Sequence, residues 1–112
     1  MSNAAERAVT NAAAVFFALG TDTRLAIVRR LGRGAPLSAT ALCEGARVSR
    51  QAIVKHLRVL EEAGVVSHSP QGREVLYTLD ARRVDEARAF LDGISAGWDR
   101  AVERLRRVVE EK

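Results

Sequence analysis

Arg50, Gln51, Val54, Lys55 and Arg58 crowd into one short stretch of the chain, and their side chains are of the kinds that read a DNA duplex. In the major groove, arginine and lysine match the O6 and N7 acceptors of guanine, and glutamine matches N6 and N7 of adenine. Valine offers an apolar contact to the thymine methyl. At about 100° per residue, a helix puts Gln51, Lys55 and Arg58 on one side, with Arg50 and Val54 flanking its first turn. Ile53, Leu57 and Leu60 recur at helical spacing on the other side, as a stripe to be buried. Ser49 suits the N-cap, since its hydroxyl accepts a free backbone N–H of the first turn. Gly64 suits the end, where a left-handed residue stops a helix. Ser49 to Gly64 is therefore a helix with a dry back and a front of Arg, Gln and Lys. The same residue types cover ordinary solvated helices, so this helix by itself leaves both readings open.

Catalytic chemistry finds no comparable support. The chain has no glycine-rich phosphate loop, no Ser/His/Asp or Cys/His set in a workable context and no metal-ligand spacing. We expect neither an enzyme nor a cofactor. Cys43 is the single cysteine, and His56 and His68 are the two histidines. Cys43, beside Leu42 on a short helix, suits a buried inert thiol. His56 falls at the edge of the core stripe and suits packing, while His68 suits solvent. One cysteine fits a reducing compartment. No apolar run approaches the roughly 18 residues of a membrane span, and no charged-then-apolar leader opens the chain. The expected location is the cytoplasm, with no membrane partner.

At 112 residues the chain makes one domain with a single modest core. Its net charge of +4 comes almost wholly from arginine, the better residue for phosphates and base edges. Residues 49–80 are neutral as a block, with four basic and four acidic residues. Their signs are segregated nonetheless: Arg50, Lys55 and Arg58 come first, Glu61 and Glu62 at the far end. A pI near 10.2 is compatible with nucleic-acid binding and does not establish it.

The elements that would position this front are legible on either side of it. Residues 5–19 form an alanine-rich helix stopped by Gly20, in which adjacent Phe16 and Phe17 project about 100° apart and need different cover. Thr21 or Asp22 caps a second helix, Thr23 to about Arg33, with Leu25, Ile27, Val28 and Leu31 as its apolar side. Gly32, Gly34 and Pro36 end it. Ser38 caps a short third helix holding Ala41, Leu42 and Ala46, and Arg47-Val48 makes the turn into Ser49. Two short helices joined this way form a helix-turn-helix, at about 38–64. Val75, Tyr77 and Leu79 then alternate as in a half-buried strand, and Gln71-Gly72 reads as the turn of a hairpin, a wing at about 65–79 with Arg73 at its tip. From Ala81 to about 111 the chain is helical again. Leu91, Ile94, Trp98, Val102, Leu105 and Val109 are spaced by three and four like a coiled-coil seam. So long a stripe exceeds what a small core can cover, so we expect it to pack on its twin, together with Phe16 or Phe17, in a symmetric homodimer. Gly93 and Gly97 read as weak points of that helix.

In this order the chain resembles the ArsR/SmtB family of winged-helix bacterial repressors. The residues carrying the resemblance are Phe17-Ala18-Leu19-Gly20-Thr21-Asp22-Thr23-Arg24-Leu25-Ala26-Ile27, Leu37-Ser38-Ala39-Thr40-Ala41-Leu42 and Val48-Ser49-Arg50-Gln51-Ala52-Ile53-Val54-Lys55-His56-Leu57-Arg58-Val59-Leu60. Glu62-Ala63-Gly64-Val65-Val66 and the wing segment Gln71 to Leu79 complete it, so that residues 16–80 match in register. The resemblance implies a mostly α fold with a small β-hairpin, a winged helix-turn-helix of order α-α-α-α-β-β-α that dimerises through its N- and C-terminal helices.

It also implies roles for particular residues. Arg50, Gln51, Val54 and Lys55 occupy the base-reading positions, while Ser38, Ser49 and Arg58 would fix phosphates and Arg73 would reach a phosphate or the minor groove. Phe16, Phe17, Leu91, Ile94, Trp98, Val102 and Leu105 would form the dimer interface. Two departures are mild: Thr21-Asp22 stands where Asp-Pro is usual, and Arg47 stands at a turn position where glycine is frequent. There a left-handed residue would cost roughly 1 kcal/mol, unless Arg47 is placed to touch phosphate. The third is larger. Metal-sensing members carry a Cys-x-Cys pair at the start of the third helix or a His/Asp/Glu set on the last. Ser38 and Thr40 hold the first positions here, and the last helix has no histidine. Tetrahedral zinc needs about four ligands, so the expectation is a metal-independent repressor binding an inverted-repeat operator, its effector unknown. A repressor responsive to a small organic ligand or to oxidation of Cys43, and a winged-helix protein-interaction module without DNA binding, remain as alternatives.

Overall fold

Each helix starts on a side chain that accepts a first-turn N–H. The computed structural model describes residues 3–111. Asn3 caps α1 (Ala4–Ala18) by accepting from the Glu6 N–H at 2.8 Å. Thr21, and not Asp22, caps α2 (Asp22–Leu31) from Arg24 at 3.2 Å. Ser38 caps α3 (Ala39–Cys43) from Ala41 at 3.1 Å, and Ser49 caps α4 (Arg50–Glu62) from Ala52 at 3.1 Å. Asp80 caps α5 (Ala81–Glu110) from Arg82 at 3.1 Å. These bonds satisfy donors that a helix leaves free at its start.

Three strands complete the fold: β1 (Leu37–Ser38), β2 (Val66–Gln71) and β3 (Glu74–Leu79), antiparallel in the order β1-β3-β2. β1 was not expected, because two residues are too few to show alternation. Leu37 pairs with Tyr77 and Ser38 with Leu76, so the order is α-α-β-α-α-β-β-α. The hairpin turn is Gly72-Arg73 and not Gln71-Gly72, since Gln71 pairs with Glu74. Gly72 has φ 63, the sign required at the first central position of a two-residue II′ turn. Pro70 is tolerated within β2 because β2 is an edge strand, where a missing N–H breaks no inner ladder.

The core lies where α1, α2, α3, α4 and the sheet meet. Val15, Ala18, Ile27, Leu31, Leu42, Ile53, Leu57, Leu60 and Val65 are all buried, and Ala87 brings α5 against them. α4 buries Ile53, Leu57 and Leu60 as its pattern requires, and Gly64 ends it at φ 77.

Three details of the helices differ from expectation. Leu25 does not join the core and is 50% exposed, because it lies about 200° around α2 from the buried Ile27. α2 closes at Leu31 and passes into tight turns, with Gly34 N–H donating to Leu31 O at 3.1 Å. Ala46 falls outside α3, because the chain turns at Gly45 with φ 78. That glycine takes the left-handed conformation anticipated at Arg47, so Arg47 bears no such strain.

α5 is helical throughout, including Gly93 and Gly97. Its first turns pack on α1, where Phe90 meets Phe16 edge to face with centroids 6.5 Å apart. The remainder extends away from the body, and the whole measures 70 × 37 × 21 Å. The radius of gyration is 18.7 Å, against about 13 Å for a compact chain of this length. The chain exposes 8278 Å², where about 6,100 Å² is usual for a compact monomer of this mass.

Candidate nucleic-acid interface

Because Ile53, Leu57 and Leu60 fix the back of α4, its rotation is set, and the other residues follow. Gln51, Lys55 and Arg58 are exposed on the opposite side. Arg50 and Val54 lie on the flank that faces the wing. There they line an open groove of about 370 Å³ with Ser38 and Thr40 of the helix-turn-helix and Arg73 of the wing turn. The fold thus brings Ser38, Arg50, Val54 and Arg73 to one groove, and places Gln51, Lys55 and Arg58 on the adjoining face of the same helix.

Ser38 and Ser49 each accept one backbone N–H as caps. A hydroxyl that accepts keeps its own O–H to donate, so capping and phosphate contact are compatible at both. Arg50 is preset: its Nε donates to Thr40 Oγ1 at 3.1 Å. The bond holds the guanidinium toward the α3 side of the groove.

Three positioning residues have no counterpart in the pattern-based reading. Thr40 is one, and it belongs to an otherwise unremarkable polar start of α3. Arg30 donates through Nη1 to the carbonyls of Ala41 and Leu42, both at 3.1 Å, and so satisfies the end of a helix too short to satisfy itself. Arg24 donates from Nε to Ala18 O at 2.6 Å and from Nη2 to Phe17 O at 3.3 Å, while Nη1 reaches His56 Nδ1 at 3.3 Å. His56 is thereby a packed, partnered residue. His68 is exposed but not merely solvated: it pairs with Glu61 of α4 and lies beside Tyr77 of β3, which joins wing to helix. Nothing in the sequence set the two arginines apart from the other polar residues of α2, Arg24 following Thr23 and Arg30 following Arg29.

Cys43 is partly buried and donates from Sγ to Val48 O at 3.4 Å across the turn. Cys43, His56 and His68 each engage a different neighbour. Among the described residues no group of three or more His, Cys, Asp or Glu side chains is placed to hold a metal ion. No single helix among them is long and apolar enough to cross a membrane.

The residues assigned to a dimer seam divide in two. Phe16 faces inward on Phe90, whereas Phe17 is 72% exposed with Arg24 over its ring. Leu91, Ile94, Trp98, Val102 and Leu105 are exposed along α5, Trp98 at 70%.

A capped, polar-fronted helix set behind a short helix and beside a hairpin defines a winged helix-turn-helix DNA-binding protein. A helix-turn-helix domain model matches residues 19–68. The chain is 36% identical over 95 residues to the HTH-type transcriptional regulator Rv2034 of Mycobacterium tuberculosis, covering 85% of each. An ArsR-like transcriptional regulator from Rhodococcus sp. RHA1 superimposes with a TM-score of 0.79 at 37% identity, over 89% of this chain and 93% of that one. The homodimeric winged helix-turn-helix domain of Mb0332 from Mycobacterium bovis shares the fold, with a TM-score of 0.66 at 22% identity and 93% of each chain covered. The chain belongs to the ArsR/SmtB family of DNA-binding transcriptional regulators.

Proposed function

We propose that the protein is a cytoplasmic, metal-independent repressor that binds an inverted-repeat operator as a homodimer. In this reading it is one domain, residues 1–112. Gln51 and Lys55, with Arg50 and Val54 beside them, contact base edges. Ser38, Ser49 and Arg58 hold phosphates, and Arg73 follows the backbone at the wing. The observation that carries the reading is the pairing of two exposed surfaces in one small chain: the polar front of α4 and the apolar face of α5. The first needs a duplex and the second needs a partner. The surface in excess of a compact monomer is about 2,000 Å² per chain, enough for an obligate homodimer interface. The homodimer of the Mycobacterium bovis domain supports the same assembly.

Two α4 helices related by a two-fold axis enter successive major grooves about one helical turn apart. Repression then follows by occlusion of a promoter. Metal independence rests on Ser38 and Thr40 at the positions of the family's thiol pair and on the absence of histidine from α5. Selection of bound fragments from genomic DNA by the purified protein tests the proposal. A palindromic consensus is expected, retained in the presence of chelator and unaffected by zinc. Recovery of no consensus, or of one that dissolves on adding zinc, overturns it.

A further inference from the structure

Behind α4, on the side to which Ile53 points, a partly open cavity of about 390 Å³ lies between α2 and the turn that joins α3 to α4. This is the size of a small-molecule site. Its floor is the core itself, Ile27, Leu42 and Ile53, each at most 3% exposed. Around the mouth stand Asp22 and Arg30 of α2 with Glu44 and Arg47 of the turn. Two carboxylates and two guanidiniums at one opening would ordinarily close on each other as ion pairs. Among the described residues, none of the four is in an ion pair. Arg30 is pinned by Nη1 to the α3 carbonyls.

We infer that this cavity is an effector site for a small zwitterion with an apolar body, of the class of a branched or aromatic α-amino acid. The apolar body displaces water from above Ile27, Leu42 and Ile53. The ammonium meets Asp22 and Glu44, and the carboxylate meets Arg30 and Arg47. A mouth with two charges of each sign favours neither a simple anion nor a simple cation. It favours a ligand carrying both.

Occupancy has a route to DNA, and this part rests on the reading of α4 given above. Glu44, Gly45, Ala46, Arg47 and Val48 are at once the cavity wall and the link that sets the angle of α4. Gly45 turns that link with open space around it, and the Cys43–Val48 contact spans it. A ligand wedged against α2 favours one angle of Ser49 and α4 over others, and a ligand that distinguishes two conformations shifts the equilibrium between them.

Isothermal titration of the full chain with L-leucine and with L-phenylalanine is the test. Saturable submillimolar binding of at least one is expected, with N-acetyl-L-leucine and L-leucinamide, which each lack one charge, at least about tenfold weaker. Ala26→Trp places a ring in the mouth from an exposed position of α2 and should abolish binding. Glu44→Gln should weaken it without filling the cavity, and serves if the tryptophan variant melts early. Saturating ligand should change affinity for the selected DNA by about tenfold in the parent and not in Ala26→Trp. Absence of zwitterion binding, equal binding of the singly charged analogues, or binding that leaves DNA affinity untouched overturns the inference. If duplex binding fails with and without ligand while titration stays saturable, the DNA reading falls and the site stands.

Discussion

The guanidinium of Arg24 reaches His56 Nδ1 at 3.3 Å while two of its other nitrogens hold the carbonyls of Phe17 and Ala18. One side chain of α2 thus ties the end of α1 to the back of α4. Arg24→Ala removes the donor from the partly buried Ala18 carbonyl, worth about 1–3 kcal/mol when left unsatisfied, while the exposed Phe17 carbonyl keeps the Gly20 N–H. Urea denaturation should show a loss of that order, and DNA affinity should fall although Arg24 touches no DNA. His56→Ala should cost less, because the two carbonyl bonds remain.

On the front of α4, Gln51→Ala and Lys55→Ala should each weaken operator binding by about 1–3 kcal/mol if the side chain contacts a base, and should relax preference at one position. Arg58→Ala should weaken binding to all sequences alike and flatten the salt dependence by about one unit of slope. Fluorescence anisotropy with operator and with scrambled duplex at several salt concentrations separates the two kinds.

Ser49 caps α4 and is proposed to hold a phosphate, and one substitution can part the two. Aspartate caps helices about as well as serine, so Ser49→Asp should hold the melting temperature near that of the parent. Its charge repels phosphate, and DNA affinity should drop by tenfold or more. Ser49→Ala should instead lose about 1 kcal/mol of stability. A thermal melt beside a binding titration distinguishes these outcomes.

Along α5, Trp98→Glu and Leu105→Glu put charges on the exposed apolar face. Sedimentation equilibrium should find them monomeric at concentrations where the parent is a dimer, with weakened operator binding as a consequence. Dimeric variants would move the seam elsewhere.

Gly93 offers a complementary test. Beyond its chain neighbours and the backbone of its own helix, no atom lies within 4 Å of where its Cβ would stand, and it is about 140° around the helix from the apolar face. Gly93→Ala should therefore stabilise the protein by about 0.5–1 kcal/mol, measured by chemical denaturation, and leave the dimer intact.

Side-chain pattern made the large elements legible, and what it could not register was what happens across space. The stripe Ile53, Leu57, Leu60 and the serine ahead of it placed α4 to within a residue. Capping chemistry likewise located the starts of α2 and α3, whereas α1 was read from its composition and its Asn3 cap was missed. β1 escaped because two residues carry no period, and the turn slipped by one residue because Pro70 looks like a breaker until the strand is known to be an edge. Leu25 was misplaced because four apolar residues in a ten-residue helix span more arc than one face. For the interface, residue types named the exposed front, but the ties of Arg50 to Thr40, Arg24 to His56 and His68 to Glu61 join residues 7 to 32 positions apart. No local spacing encodes such pairs.

Leu37 and Ser38 are hydrogen-bonded to the inner strand of the hairpin, and Ser38 is also the cap of α3. The hairpin and the short helix are consequently two arms of one rigid calliper rather than independent fingers. On the proposed reading, a duplex seated on α4 would meet the tip at a span already fixed by the sheet. Stretches whose backbone width suits that span are favoured over those that must be bent to it, even at base pairs no side chain reaches.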